Sequence, residues 1–176
     1  MNGYLYDPHT HTAETSKCGH LFAAEVVDRY VRNGFSGLVV TDHLHPEYLS
    51  RIDTQHNGDM VMDHYLTGYH ASKKRGDEVG LDVILGAEFR FPENDNDYLV
   101  YGIDEQLLRS NPYACCMSAQ EFYDKYHNEV LIIHADPFRK GSAPVQETAI
   151  HGAEIINDNP RHENNNDKAL AMCRRH

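Results

Sequence analysis

The stretch Gly37-Leu38-Val39-Val40-Thr41-Asp42-His43 shows the pattern on which the fold prediction depends, an apolar run of strand length followed by a potential metal ligand. The same pattern recurs in Val130-Leu131-Ile132-Ile133-His134. Parallel α/β barrels assemble their active sites from residues at the carboxyl ends of successive strands. Because the pattern recurs along the chain, it favours a metal-dependent hydrolase.

Possible metal ligands stand at five predicted strand ends. The segments are Asp7-Pro8-His9-Thr10-His11-Thr12, Thr41-Asp42-His43, Gly86-Ala87-Glu88, His134-Ala135-Asp136-Pro137-Phe138-Arg139 and Glu154-Ile155-Ile156-Asn157. Residues i and i+2 of a strand point to the same side, so His9 and His11 can present two imidazoles to one cation. The carboxylate of Glu88 has two oxygens and could bridge two cations.

Helical segments separate most of these strands. Apolar residues at three-to-four spacing predict a helix over residues 21–33, and Ser118 with Glu121 forms a capping box that begins another. A further helix is predicted over residues 59–76. Predicted strands occupy residues 3–8, 37–41, 81–85, 97–102, 130–133 and 153–157. Strands that alternate with helices indicate an α/β fold with a parallel sheet, as a barrel or part of one.

Length, charge and cysteine content exclude several classes of protein. The chain has 176 residues, which is one domain by length, and its net charge of −11 argues against a nucleic-acid surface or binding to anionic membranes. The four cysteines lack the CxxC spacing of a zinc finger or redox site. No signal peptide or apolar run of transmembrane length is recognisable, so we expect a cytoplasmic protein.

Several of these residues also have a simpler interpretation. His43 alone is more often a hydrogen-bonded core or loop histidine, and His20 lies in a loop. His134 is either buried against the core or directed at the mouth of the barrel, and the second interpretation fits its position better. Asp7 could orient one of the nearby imidazoles by a hydrogen bond.

The motifs, taken in order, resemble the PHP (polymerase and histidinol phosphatase) domain family. The resemblance extends from Tyr4 to about Leu170. It is carried by Asp7-Pro8-His9-Thr10-His11-Thr12, Cys18-Gly19-His20, Thr41-Asp42-His43, Gly86-Ala87-Glu88, His134-Ala135-Asp136-Pro137-Phe138-Arg139, Gly152-Ala153-Glu154-Ile155-Ile156-Asn157 and Asn166-Asp167-Lys168-Ala169-Leu170. Each motif alone is weak, but the ordered set is specific.

The resemblance implies a distorted (β/α)7-type barrel that holds two or three divalent metal ions at the carboxyl ends of its strands. Members of the family are mostly phosphoesterases. By resemblance, six residues are metal ligands: His9 and His11 on one cation, Glu88 as a bridge to a second, His134 on that second cation, and His20 and His43 on a third. Zn, Mn and Fe all remain open, because mixed imidazole and carboxylate ligands do not choose among them.

Arg139 is the expected catalytic residue outside the metal ligands. Its guanidinium offers a fork of donors that suits a phosphoryl oxygen, and the resemblance supports this role. A surface arginine paired with a carboxylate is an equally good interpretation of the sequence.

The family's closing Asp-x-His pair on the last strand is absent before His176. We therefore expect residues 1–176 to form a single PHP-like domain that lacks the last strand at its carboxyl end. An exposed strand edge would favour a homo-oligomer. The expectation is either self-association or low metal occupancy at His9 and His11.

The sequence thus predicts a hydrolase that cleaves a small-molecule phosphate ester with metal-activated water. One alternative is a non-catalytic or regulatory metal-binding domain of the same type. A metal-dependent amidohydrolase is a third interpretation, but no lysine follows a strand where such an enzyme has its metal-bridging lysine. Residues 45–58 and 158–166 are expected to shape the substrate pocket.

Overall fold

The computed structural model describes residues 3–144, 149–157, 159–160 and 163–174. The strands are β1 (Tyr6–Thr10), β2 (Gly37–Val40), β3 (His43–Leu44), β4 (Asp82–Phe89), β5 (Asp97–Tyr101), β6 (Leu131–Ala135) and β7 (Gly152–Ala153). The helices are α1 (Ala23–Arg32), α2 (Pro46–Ile52), α3 (Gly58–Tyr65), α4 (Thr67–Val79), α5 (Glu105–Ser110), α6 (Ala119–Tyr126) and α7 (Asn166–Cys173), with a 3₁₀ turn at Ala114–Cys116. Among the described residues, no helix is long and apolar enough to cross a membrane.

The strands form one curled sheet in the order β1-β2-β4-β5-β6-β7, and β3 pairs with the last residues of β4. This mixed α/β half-barrel confirms the predicted fold class in its broader form, but not the (β/α)7 type. The expectation of a wholly parallel sheet is wrong, because β5 runs antiparallel to both β4 and β6. The connection over residues 90–96 is too short for the crossover that a parallel neighbour requires.

Two predicted elements also differ in their details. The single helix expected over residues 59–76 is two helices, α3 and α4, which meet at Leu66. The loop expected over residues 45–58 contains α2, which starts at Pro46 with the ring of His45 accepting a hydrogen bond from the Tyr48 amide. Proline is well suited to the first turn of a helix because its missing N–H would be unpaired there.

The two faces of β4 are used for different purposes. Leu85, Ala87 and Phe89 point into the larger hydrophobic cluster, which α3, α5 and α6 help to form. Glu88 alternates with these residues and therefore lies on the opposite, concave face. A smaller cluster packs α1 and α4 against β2 and β4. The core therefore packs against one face of the sheet. The opposite face, at the carboxyl end of β4, can form a functional site.

The aromatic residues of the larger cluster give a test of this core. Phe122 is fully buried, with its ring 5.2 Å from that of Phe89 and 5.5 Å from that of Phe91 between centroids. We expect Phe122→Ala to lower the free energy of unfolding by about 3–5 kcal/mol, since it removes a large buried side chain. Urea denaturation measures this change.

Phe22 is the matched control, because its side chain is 61% exposed. Phe22→Ala should change the free energy of unfolding by no more than about 0.5 kcal/mol. Similar losses in the two variants would contradict the assignment of the core.

Candidate metal centre

Three histidines surround one buried carboxylate where β1, β2 and β4 end. Glu88 is only 2% exposed. Its Oε2 lies 3.5 Å from Nε2 of His9, 3.2 Å from Nε2 of His11 and 3.1 Å from Nδ1 of His43. The structure therefore brings together four of the six residues that the sequence predicts as metal ligands.

The spacing of these atoms fits the coordination sphere of a transition metal. Nε2 of His9 and Nε2 of His11 are 3.2 Å apart. Four-coordinate zinc, with bonds of about 2.0–2.2 Å, separates its ligand atoms by roughly 3.3–3.6 Å. Among the described residues, no hydrogen bond of good geometry reaches Oε2 of Glu88. A buried carboxylate oxygen with nitrogens around it and no hydrogen bond is arranged to share a cation.

The carboxylate also controls the charge of its neighbours. Burial disfavours ionisation of Glu88, but the adjacent His43 and His9 hold the pKa of Glu88 well below its usual value. Burial likewise opposes a charge on His43, yet the Glu88 carboxylate raises the pKa of His43 to about 9. The Glu88 carboxylate therefore favours its ionised form and stabilises positive charge close to it.

Glu154 orients the ring of His9. Its Oε1 lies 3.0 Å from Nδ1 of His9, and its Oε2 accepts a hydrogen bond from the Asp136 amide at 3.0 Å. When Nδ1 donates to this carboxylate, the lone pair of Nε2 faces the cluster. Asp7, which the sequence suggested for this role, instead accepts hydrogen bonds from the backbone amide of His9 and the hydroxyl of Tyr30.

Asp42 ties the first two ligand-bearing segments together. Its carboxylate accepts hydrogen bonds from the amide and the hydroxyl of Thr12 at 2.8 and 2.6 Å, and from the Ser16 hydroxyl at 2.6 Å. Burial raises the pKa of Asp42 to about 6, although these hydrogen bonds oppose the shift. Asp42 therefore fixes the position of the chain after β1 relative to the end of β2.

His134, which the sequence predicts as a ligand, lies on the other face of the sheet from this cluster. It is opposite Tyr98 on β5, and the two rings stack at 5.4 Å between centroids. Glu88 is opposite Leu99, the next residue along β5, so His134 and Glu88 lie on opposite faces of the sheet. His134 is fully buried on the core side.

Asp136 reaches the site from the same segment instead. Its backbone has a φ of 47°, which turns the chain after β6, and its side chain lines the cavity beside Glu154. Burial raises the pKa of Asp136 to about 6, and the neighbouring Glu154 carboxylate adds to the shift. The signal in the sequence is a carboxylate three residues after the predicted strand over residues 130–133, but His134, which comes before it, is the more obvious candidate.

The loop after β1 presents Cys18 rather than His20. Ligand atoms of His11, Cys18 and His43 all lie within 4.8 Å of one another. His20 is exposed, and it lines a neighbouring cavity of about 480 Å³ beside α1 without joining this group. The predicted ligand His20 shares that cavity with His9 and His11, but it is in none of the groups of possible metal ligands found among the described residues.

Arg139 pairs with a buried carboxylate and also lines the cavity. Its Nη2 lies 2.6 Å from Oδ2 of the buried Asp97, which also receives two hydrogen bonds from Arg90 at 2.9 Å. Arg139 also lines a cavity of about 600 Å³ together with His9, Glu88, Asn157 and Asn159. Asn159 belongs to one of the two segments expected to shape the pocket, whereas none of residues 45–58 lines this cavity.

A helix glycine tests the importance of the Asp42 network. A Cβ at Gly68, near the start of α4, would lie 1.9 Å from Oγ1 of Thr12 and 2.8 Å from Oδ2 of Asp42. Gly68→Ala should therefore lower the free energy of unfolding by about 1–3 kcal/mol, because overpacking outweighs the higher helix propensity of alanine. Gly3→Ala is the control, since nothing lies within 4 Å of the added Cβ. Equal stability of the two variants would refute the close packing.

No family model and no curated protein matches this chain. Several solved structures are similar to this chain in fold, among them the following two. A protein from Bifidobacterium adolescentis, provisionally named a metal-dependent phosphoesterase, is 14% identical with a TM-score of 0.59 over 99% of this chain and 84% of that one. A two-domain protein from Bacteroides vulgatus contains a predicted PHP-like metal-dependent phosphoesterase and is 16% identical, with a TM-score of 0.58 over 85% of this chain and 43% of that one.

These likenesses confirm, at the level of the fold, the resemblance to the PHP family that the motifs indicate. At 14–16% sequence identity, these similarities show a shared fold and nothing about activity.

Proposed function

We propose that this chain is a metal-dependent hydrolase that cleaves small phosphate esters. The observation that carries the proposal is the convergence of three imidazole nitrogens within 3.5 Å of one buried oxygen of Glu88. Imidazole and carboxylate together form the ligand set of catalytic zinc, manganese and iron sites. The cluster opens into a cavity of a size that suits a small molecule.

The proposed centre holds two cations rather than three. His11 and His43 each belong to two of the three groups of residues that could hold a metal ion. A neutral imidazole offers one lone pair to one cation, so these groups cannot all be filled together. We assign one cation to His9, His11 and Glu88, and a second to His43 with Glu88 as the bridge.

Bound divalent cations supply a hydroxide near neutral pH and polarise the phosphoryl oxygen. The chain's own contribution is to hold its groups in place. Glu154 keeps the ring of His9 oriented, and Asp42 fixes the loop that follows His11. Arg139 is held by Asp97 at the wall of the cavity, where its remaining donors can bind a phosphoryl oxygen.

The bridging carboxylate gives the first test of the proposal. We expect the purified protein to take up zinc or manganese after chelator treatment, as measured by elemental analysis. Glu88→Gln should reduce both the bound metal and the hydrolysis of a phosphomonoester, with kcat/KM falling roughly a hundredfold or more, because one substitution damages both cation sites.

Glu121→Gln is the control, since Glu121 is exposed at the start of α6 and glutamine can retain the capping hydrogen bond. Equal rates for the two variants would refute the bridging role. Metal uptake without hydrolysis of any phosphate ester would favour a non-catalytic metal-binding domain. No uptake of metal would overturn the proposed function itself.

Arg139 gives a separate test of substrate binding. Arg139→Ala should raise the KM for a phosphomonoester about tenfold or more with a smaller effect on kcat, because a charge-assisted hydrogen bond contributes about 1.5–3 kcal/mol. Asp97 keeps both hydrogen bonds from Arg90, so the fold should persist. Arg109→Ala, which removes a surface ion pair with Asp63, should leave KM unchanged. An unchanged KM in Arg139→Ala would rule out the clamp.

A further inference from the structure

The loop between β1 and α1 is closed by its own backbone. The Ala13 amide donates to the Leu21 carbonyl at 2.9 Å, and the Gly19 amide donates to the Ser16 carbonyl at 3.0 Å. The Ser16 hydroxyl donates to Asp42 and accepts a hydrogen bond from the His43 amide. The loop is therefore attached to the strand end that carries His43.

Gly19 determines which side chain of this loop faces the cluster. A Cβ at this position would lie 2.4 Å from the carbonyl oxygen of Thr12, so the two backbone segments are in direct contact and only glycine fits. This contact places Cys18 against His11 and His43. The next residue, His20, is exposed.

We propose that the Cys18 thiolate is a metal ligand, together with His43, at the cation position beside the His9, His11 and Glu88 site. The proposal rests on the metal centre of the proposed function and adds a sulfur ligand to it. Ligand atoms of His11, Cys18 and His43 lie within 4.8 Å of one another. Independently, Oε2 of Glu88 is buried beside His43 and has no hydrogen bond of good geometry among the described residues, which itself indicates a cation.

The competing oxygen ligand at this position is already engaged. Asp97 forms a group with His43 and Glu88, but its two oxygens are paired with the guanidinium groups of Arg90 and Arg139. A carboxylate that neutralises two arginines is a poor ligand for a further cation. Cys18 lines the cavity and lies in a group of possible ligands with His11 and His43.

A thiolate ligand changes which metal the centre selects. Sulfur is a soft ligand that favours zinc, cobalt and iron, whereas manganese and magnesium prefer oxygen. A bound cation keeps the coordinating thiol deprotonated. A sulfur ligand from Cys18 beside His43 therefore points to zinc or ferrous iron, a choice that imidazole and carboxylate alone do not make.

Cobalt(II) titration of the full chain under anaerobic conditions tests the sulfur ligand directly. We expect a near-ultraviolet thiolate-to-cobalt charge-transfer band in addition to the visible ligand-field bands. Cys18→Ser should abolish the charge-transfer band and keep the ligand-field bands of the His9 and His11 site. Cys116→Ser, at an exposed cysteine, and His20→Ala should leave both sets of bands unchanged.

The outcomes separate this inference from the proposed function. Ligand-field bands with no charge-transfer band in the unsubstituted protein would overturn the role of Cys18 and leave the metal centre standing. Loss of the second cobalt ion in His20→Ala, but not in Cys18→Ser, would do the same. No cobalt binding at all would overturn both proposals.

Metal preference and thiol reactivity give readouts that do not depend on activity. Cys18→Ser should weaken zinc binding about tenfold or more at the second position, with a smaller change for manganese, because only zinc gains strongly from sulfur. In the unsubstituted protein, zinc should protect Cys18 from alkylation and leave Cys116 reactive. Equal alkylation of Cys18 with and without zinc would overturn the assignment.

Discussion

The structure depends on one constraint, the burial of the Glu88 carboxylate at the carboxyl end of β4. A charged group that is only 2% exposed must be compensated, since an isolated buried charge costs several kcal/mol. The compensation comes from three imidazoles on the neighbouring strand ends, all within 3.5 Å of the same oxygen. Residues of β1, β3 and β4 all take part in this arrangement. The curl of the sheet therefore brings the residues of the site together.

Three buried acidic residues near the site have three different partners, and the partners decide what each can do. Asp42 receives hydrogen bonds from neutral donors and is a fixed point for the loop after β1. Asp97 neutralises two arginines and holds one of them at the cavity wall. Glu88 is surrounded by imidazoles, whose lone pairs can be turned to a cation. The residue type alone does not distinguish these roles; the surrounding donors do.

The sequence predicts the site best where strand periodicity settles the direction of a side chain. His9 and His11 are two residues apart at the end of β1. Glu88 is near the end of the buried β4, and His43 comes shortly after the buried β2, so their convergence could be predicted. The side of the sheet to which His134 points could not be predicted, because Leu131, Ile132 and Ile133 are all apolar and the two faces of β6 look alike. Only the pairing of His134 with Tyr98 and the turn at Asp136 decide it. The position of Cys18 likewise depends on a contact between Gly19 and Thr12 that no periodic pattern encodes.

In the proposed hydrolase, the charge of the cavity makes phosphate binding depend on metal binding. Its described lining contains the carboxylates of Asp7, Glu88, Asp136 and Glu154, and Arg139 is the one lysine or arginine among those residues. A phosphate ester approaching this surface on a chain of net charge −11 meets mostly negative potential. Two divalent cations would reverse that field locally, and they would do so at the place where the phosphoryl oxygens must lie. In the proposed hydrolase the cations are therefore required for binding the substrate as well as for activating water, and the acidic lining rejects anions until the metal centre is filled.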